Sequence, residues 1–421
     1  MQRLTCHGHH GFGAMTMKGH LTDNLSLPLS NPPHVGIRRS KEAAKIVVGK
    51  VAGIAVEFVD RTAYLLTPVS VRFRSLSNEH ATPLHSALRA AVPDGYNLPL
   101  LDRAVRGGIL ACPGILPATL GRVRIGVFFP SKEHGPVDDL VARTADVAAQ
   151  GFQSVWLPQS SSFDALTVLA ALGREVHDVE LGTSVVPTFP RHPAMLAAQA
   201  LTTNAATGGR LALGIGLSHR ATIEGGYGLS YDRPARHMGE YLSVLLPAIR
   251  TGSADFNGET LAAHLTLSIP GADPCPVYLA ALQPAMLRLA GGLADGTITW
   301  CTGPVTLEHQ IVPTITEAAR DAGRPAPRVV VALPCCVTDD EADGRRKADK
   351  QLEGYGEIPV YRAVLDREGV ATPGDISVVG DERSVTDQLR RLADIGASDF
   401  VAILCGDKGD RARTMAHLAG S

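Results

Sequence analysis

The sequence predicts an α/β fold, a (β/α)8 barrel of the TIM type with insertions after its fourth and seventh strands and an irregular N-terminal extension. Three observations predict it. From residue 122 onward, short β-branched runs alternate with helical patterns. There are eight such runs, which suits a fold of ~250 residues plus insertions. The runs are apolar on both faces, as strands of a parallel sheet covered by helices must be. An open doubly wound sheet would need fewer strands and a nucleotide-binding fingerprint.

The strands follow in order. "RVRIGVFF" (122–129), "SVWLP" (154–158), "VELGTSVVP" (179–187) and "RLALGIG" (210–216) are the first four. "PVYLAA" (276–281), "GTITWC" (296–301), "RVVVALP" (328–334) and "DFVAILC" (399–405) are the last four. Between them the period becomes helical. Val137, Leu140, Val141, Thr144, Ala145 and Ala148 share a face, as do Leu307, Ile311, Ile315 and Ala318, and a third stripe is Val385, Leu389 and Leu392. Two connections exceed what a barrel needs. Residues 217–275 hold a helix over 233–250 and then Asn257-Gly258 between β-prone flanks, a hairpin signal. Residues 337–398 are charged and irregular around "EGYGEIPVYRAV". Long loops at the C-terminal ends of barrel strands build active sites, so both are expected to be lids.

Residues 1–121 show no βα rhythm. They collect Pro, Ser, His and Asn in "LPLSNPPHVGIRR", and the strand-like "KIVVGKVAGIAVEFV" has no obvious partner. The domain expectation is therefore 1–121 as a poorly defined extension, disordered or an over-long gene prediction, and 122–421 as the barrel. A genuine start near Val123 would follow, and native peptides from before residue 120 in a mass spectrum would overturn it. The "CHGHH" cluster from Cys6 to His10 has no further ligands around it, so no metal is expected.

Composition narrows the partners. With 40 basic and 42 acidic residues the formal charge is -2, which gives no field suited to nucleic acid or an anionic membrane. No apolar run reaches the ~18 residues of a membrane span, and the N-terminus lacks a signal-peptide core. Seven scattered cysteines without a C-x-x-C pair suggest neither a disulfide framework nor zinc. The expectation is a cytoplasmic protein with a small-molecule ligand.

The stretch "GGRLALGIGLSH" (208–219) begins like a dinucleotide-binding turn, but the third glycine position holds His219, and Asp232 sits in a helix start instead of closing a second strand. "LAALQPAMLRLAGG" places Leu282 and Gln283 at a strand-to-helix turn with Pro284 in the first helical position. Free amides and a helix dipole make that turn an anion site.

Further motifs agree with one another. "GFQSVWLPQ", "LGTSVVPTFPRHPAMLAAQALTTNAATGGRLALGIGLSH", "YDRPARHMGEYL", "DFNGETL", "PVYLAAL" and "LADGTITW" occur in the order and at the spacing of the bacterial-luciferase-like superfamily. The chain most resembles its branch of oxidoreductases that use the deazaflavin coenzyme F420, over residues 122–418. The resemblance implies a cofactor ring in the barrel mouth, backed by a bulge with a non-prolyl cis bond between Ser184 and Val185. It implies that Gly214 and Gly216 let the backbone pass close to the cofactor, and that its phosphate lies at Leu282 and Gln283. His219 falls where relatives that oxidise sugar phosphates carry a catalytic carboxylate, and an imidazole there can pass a proton near neutral pH. Trp300 and Cys301 are expected to line the ring pocket and Trp156 to be core.

One departure redirects the chemistry. Where many F420 enzymes carry Asp-His after the second strand, this chain has Pro158-Gln159-Ser160. Gln159 can hydrogen-bond a pyrimidine edge or a substrate carbonyl but cannot transfer a proton. Reduction of an activated double bond or imine, with a proton from His219 or water, is then expected over sugar-phosphate oxidation. The alternatives are an FMN-dependent monooxygenase using oxygen and a barrel that binds without turnover. Superfamily members often dimerise through barrel helices, so a homodimer is a further expectation, though Met286, Leu287 and Leu289 read equally as internal packing.

Overall fold

The computed structural model describes residues 123–133 and 135–420, together with five strands before residue 123. The histidines at 7, 9 and 10 lie outside the described residues. The chain divides into two units, 1–119 and 120–421. In the first, β1 (Gln2–Cys6), β2 (Ile37–Arg39), β3 (Ala44–Val51), β4 (Ile54–Asp60) and β5 (Val69–Phe73) form an antiparallel sheet in the order β1-β5-β4-β3-β2. The stretch 45–59, which reads as one unpartnered strand, is two: β3 and β4 pair with each other.

The second unit carries β6 (Arg124–Phe128), β7 (Ser154–Leu157), β8 (Glu180–Thr183), the short β9 (Val186–Pro187) and β10 (Leu211–Gly216). After them come the hairpin β11 (Ser253–Asn257) and β12 (Ala262–Thr266), then β13 (Val277–Ala280), β14 (Gly296–Trp300), β15 (Arg328–Val337), the short β16 (Val378–Gly380) and β17 (Asp399–Leu404). Parallel pairing runs β6-β7-β8-β10-β13-β14-β15-β17 and returns from β17 to β6. The eight expected strands are these eight, and they close into a barrel.

Alternation along each strand divides the core, because neighbouring side chains point to opposite faces. Phe128, Trp156, Ala212, Tyr278, Ile298, Val330, Ala332, Val401 and Ile403 fill the interior. Their neighbours Val127, Val155, Leu213, Leu279, Val331 and Ala402 belong to the larger cluster under the helices. Trp156 is fully buried, and a Cβ at Gly182 would collide with its ring.

The shell comprises α1 (Val137–Ala149), α2 (Ala165–Glu175), α3 (Pro193–Ala206), α4 (Pro234–Thr251), α5 (Pro284–Leu293) and α6 (Val312–Asp321), the last preceded by a π-helical stretch Leu307–Ile311. It continues with α7 (Glu341–Gln351), α8 (Pro359–Glu368), α9 (Glu382–Ile395) and α10 (Lys408–Ala419). The stripe expected on α1 is off by one contact: Val147 is buried and Ala145 exposed. The insertion after β15 is largely helical, holding α7 and α8. Its charged residues are exposed or half-buried, and Ala348, Val364 and Leu365 are buried.

The Asn257-Gly258 signal marks a real hairpin, β11 against β12, with a four-residue connection. Its loop is held from outside. The Glu240 carboxylate on α4 accepts hydrogen bonds from the Glu259, Thr260 and Leu261 amides and from the Thr260 hydroxyl.

Candidate active site at the barrel mouth

The C-terminal ends of the strands surround a cavity of about 650 Å³. Phe128, Ala280, Ile298 and Trp300 reach it from strand ends, and Gln159, Ser184, Val185 and His219 from the turns that follow β7, β8 and β10. Both long insertions contribute: Thr222, Gly226 and Tyr227 from the one after β10, Tyr355 and Tyr361 from the one after β15. No Asp, Glu, Lys or Arg is among the described residues that line it. A volume of this size is in the range of small-molecule sites.

The bulge after β8 is built as a cradle. The Ser184–Val185 peptide bond is cis, and the Ser184 amide donates to the Leu157 carbonyl at 2.8 Å. The Thr183 hydroxyl accepts from the Gly214 amide and donates to the Gly214 carbonyl, each at 2.8 Å. A Cβ at Gly214 would collide with the Thr183 carbonyl oxygen, and one at Gly216 would stand 2.7 Å from Val185 Cγ2 and 3.1 Å from Ala280 Cβ. In the described structure the space beside Gly214 and Gly216 is taken by the Thr183 carbonyl and by Val185, whose side chain packs on the barrel interior.

His219 is held by its backbone. Ser218 takes a left-handed conformation (φ 60°), the Tyr231 hydroxyl donates to the Ser218 carbonyl at 3.1 Å, and the His219 carbonyl accepts from the Thr222 and Ile223 amides. These bonds open the π-helical turn Ala221–Gly226. The imidazole meets the rings of Tyr361 at 5.7 Å and Tyr355 at 6.5 Å, both edge-on. Burial holds its pKa below the ordinary 6.5, so at neutral pH it is an uncharged base.

Gln159 is half committed. Its Oε1 accepts from the Ala165 amide at the start of α2, at 2.8 Å, which fixes the amide orientation and leaves the NH2 as donor. Trp300 lines the cavity at ring distances of 5.1 Å from Phe128 and 5.8 Å from Tyr355. Its indole N–H is buried without an acceptor in bonding geometry, the Tyr355 hydroxyl beside it. Cys301 departs from expectation. It is buried in the outer core, outside the lining, at a left-handed backbone position (φ 48°) just past the end of β14.

Leu282 and Gln283 lie outside the cavity lining. Gln283 precedes α5 in an extended conformation, Pro284 is the first helical residue, and the segment 283–285 is exposed. The Leu282 carbonyl accepts from the Gln310 side chain. The open helix end expected from the sequence is present there. Among the lining residues that the sequence did not single out are Tyr355, Tyr361, Tyr227 and Phe128. The segment "EGYGEIPVYRAV" marked a lid, but which of its residues face inward follows from packing over His219.

Comparison with known proteins places this geometry. The profile of the family described as luciferase-like monooxygenase matches residues 123–399. A 5,10-methylenetetrahydromethanopterin reductase of Methanolobus tindarius is 26% identical over 294 residues, 62% of this chain and 89% of its own length. Among solved structures, an F420-dependent secondary alcohol dehydrogenase in complex with an F420-acetone adduct superposes with a TM-score of 0.59 at 18% identity, over 70% of this chain and 98% of its own. The oxygenating constituent of 3,6-diketocamphane monooxygenase from Pseudomonas putida, in complex with FMN, reaches 0.59 at 15% identity, over 71% and 97%. At these identities the two structures show likeness of fold.

Proposed function

This chain belongs to the luciferase-like monooxygenase family, and we propose that within it the protein is an F420-dependent oxidoreductase moving a hydride between the deazaflavin and a small organic substrate. The observation that carries this is the cavity. It is uncharged among its described lining residues, lies at the strand ends, and holds one imidazole, His219, whose pKa burial keeps below the ordinary 6.5. Such a site offers no charged nucleophile or carboxylate pair, and suits a reaction whose electrons come from a bound redox group.

The residues present fit a flat ring. Val185 and the Ser184 bulge form a wall seated on the glycines of β10, Phe128 and Trp300 add aromatic faces, and the Gln159 NH2 is a donor facing the cavity. These five lining residues would hold the ring, and the open end of α5 at Gln283 would take the phosphate. When bound, the deazaflavin supplies or takes up a hydride. The chain does the rest. Gln159 Nε2 orients a substrate carbonyl, His219 exchanges the proton that accompanies the hydride at a ring nitrogen, and Tyr355 and Tyr361 cover the site against water. Because Gln159 cannot serve as the base that takes an alcohol's proton during oxidation, the favoured direction is reduction of an activated double bond or imine, with the proton from His219 or water.

The FMN-bound structure with the same fold supports the second reading, an FMN-dependent monooxygenase. Equilibrium titration of the full chain with F420 and with FMN, followed by tryptophan fluorescence, decides between them, since Trp300 faces the cavity. Tighter binding of F420 is the expected result. Tighter binding of FMN would move the chain to oxygen chemistry, and binding of neither would leave a non-catalytic barrel.

A further inference from the structure

We propose that the cavity selects an uncharged substrate bearing a flat unsaturated group, and that Tyr355 and Tyr361 are the side chains that select it. The proposal rests on the hydride-transfer reading for its chemistry, and its test separates the two.

Charge comes first. None of the described lining residues is Asp, Glu, Lys or Arg, and His219 is neutral at pH 7 because burial lowers its pKa. Burial also raises the pKa of Tyr355 and Tyr361, so their hydroxyls stay protonated. The charges on the neighbouring π-helical insert, Arg220 and Glu224, pair with each other, and Arg220 also lies over the Tyr231 ring at 5.2 Å. A carboxylate or phosphate entering the cavity would leave water with no cation to meet it, a large penalty. Sites for such anions present a guanidinium fork or an ammonium. This one presents neither.

Shape comes second. Phe128, Trp300, Tyr355 and Tyr361 form an unbroken series of ring contacts at 5.1, 5.8 and 5.3 Å, with His219 meeting both tyrosines. Aromatic faces and edges reward a flat, polarisable partner. The NH2 of Gln159 supplies a bond to a neutral acceptor such as a carbonyl oxygen. Tyr361 is almost fully buried and braced by Tyr355 and His219. The wall is therefore set before substrate arrives.

The test uses the full chain and three probes: benzylideneacetone, its para-carboxylate, and the ring-less 3-penten-2-one. Binding is read by tryptophan fluorescence and turnover with reduced F420. Benzylideneacetone is expected to bind about a hundredfold or more tighter than the carboxylate. Tyr355→Leu and Tyr361→Leu should each weaken it roughly tenfold, while 3-penten-2-one changes by less than about twofold. Equal binding of the neutral and anionic probes overturns the proposal, as does failure of both neutral probes to bind at millimolar concentration. Should the leucine variants not fold, the ranking of the three probes on the unaltered chain decides. Selective binding of the neutral probe without affinity for F420 would sink the cofactor reading and leave the selectivity standing. F420 turnover confined to the carboxylate would do the reverse.

Discussion

In the proposed reaction His219 exchanges a proton, and it does so from a half-buried position where desolvation lowers its pKa beneath the ordinary 6.5. A depressed pKa means that the imidazolium is scarce at neutral pH but a strong acid when formed. For substrate reduction the imidazolium is the active form. Thus kcat/KM should rise as pH falls through the depressed pKa and level off below it, and the reverse oxidation should rise with pH and level off above it. His219→Gln should lower kcat about a hundredfold and flatten both profiles. Unchanged profiles in that variant would transfer the proton to water. At the same scale Gly214 and Gly216 illustrate how one residue type serves a purpose that its motif does not reveal. Both stand where the resemblance puts cofactor glycines, and the space a side chain would need is taken by Val185 and the Thr183 carbonyl.

The hairpin β11–β12 is an element stabilised by one distant carboxylate. Glu240 collects three amides and a hydroxyl from its loop, and the Thr260 hydroxyl, followed by the backbone donors, lowers its pKa. A folded-state pKa below the unfolded value means that this support is complete above about 4.3 and is lost as pH falls through the lower, folded value. Hydrogen exchange at amides 259–261 should therefore accelerate in acid. Glu240→Gln should reproduce the effect at neutral pH, by roughly fivefold or more for the loss of a charge-assisted bond. The barrel ring should be unaffected, because the hairpin forms its own two-stranded sheet. If exchange in the barrel strands rises equally, the hairpin is not an independent element.

At the scale of the whole barrel, the end opposite the cavity is closed by ions. Arg328, Glu180, Asp399 and Arg124 are the first residues of β15, β8, β17 and β6. The Arg328 guanidinium donates to both Glu180 and Asp399 and to the Tyr278 hydroxyl, and Arg124 adds a 3.2 Å contact to Asp399. Asp399 is 1% exposed, so its charge depends on these partners. Arg328→Met should destabilise the fold by about 3 kcal/mol, as when a buried pair loses one member, measured by urea unfolding. Cofactor affinity of the folded protein should stay unchanged, since the network and the cavity lie at opposite strand ends. A stability loss near zero would mean that Arg124 alone satisfies Asp399.

How much of this was legible in the sequence depended on the range of the interactions. Apolar runs, helical stripes and Asn257-Gly258 are local patterns, so eight strands, the shell of helices and the hairpin could be read directly. Gln159, Ser184, Val185, His219 and Trp300 were legible as lining residues because each sits at or just past a strand end, where a barrel builds its site. Cys301 was misread because a left-handed residue at 301 ends the alternation that would have kept it beside Trp300. Tyr355 and Tyr361 could not be ranked above the other residues of a charged lid segment, since their inward orientation is set by contact with His219, from an insertion more than a hundred residues earlier in the chain. The sequence by itself determined the order of strands and helices and so the end of the barrel that carries the site. Which side chains enclose the cavity, and that its described lining carries no Asp, Glu, Lys or Arg, followed from the fold, because packing between distant loops turns side chains inward and period alone cannot.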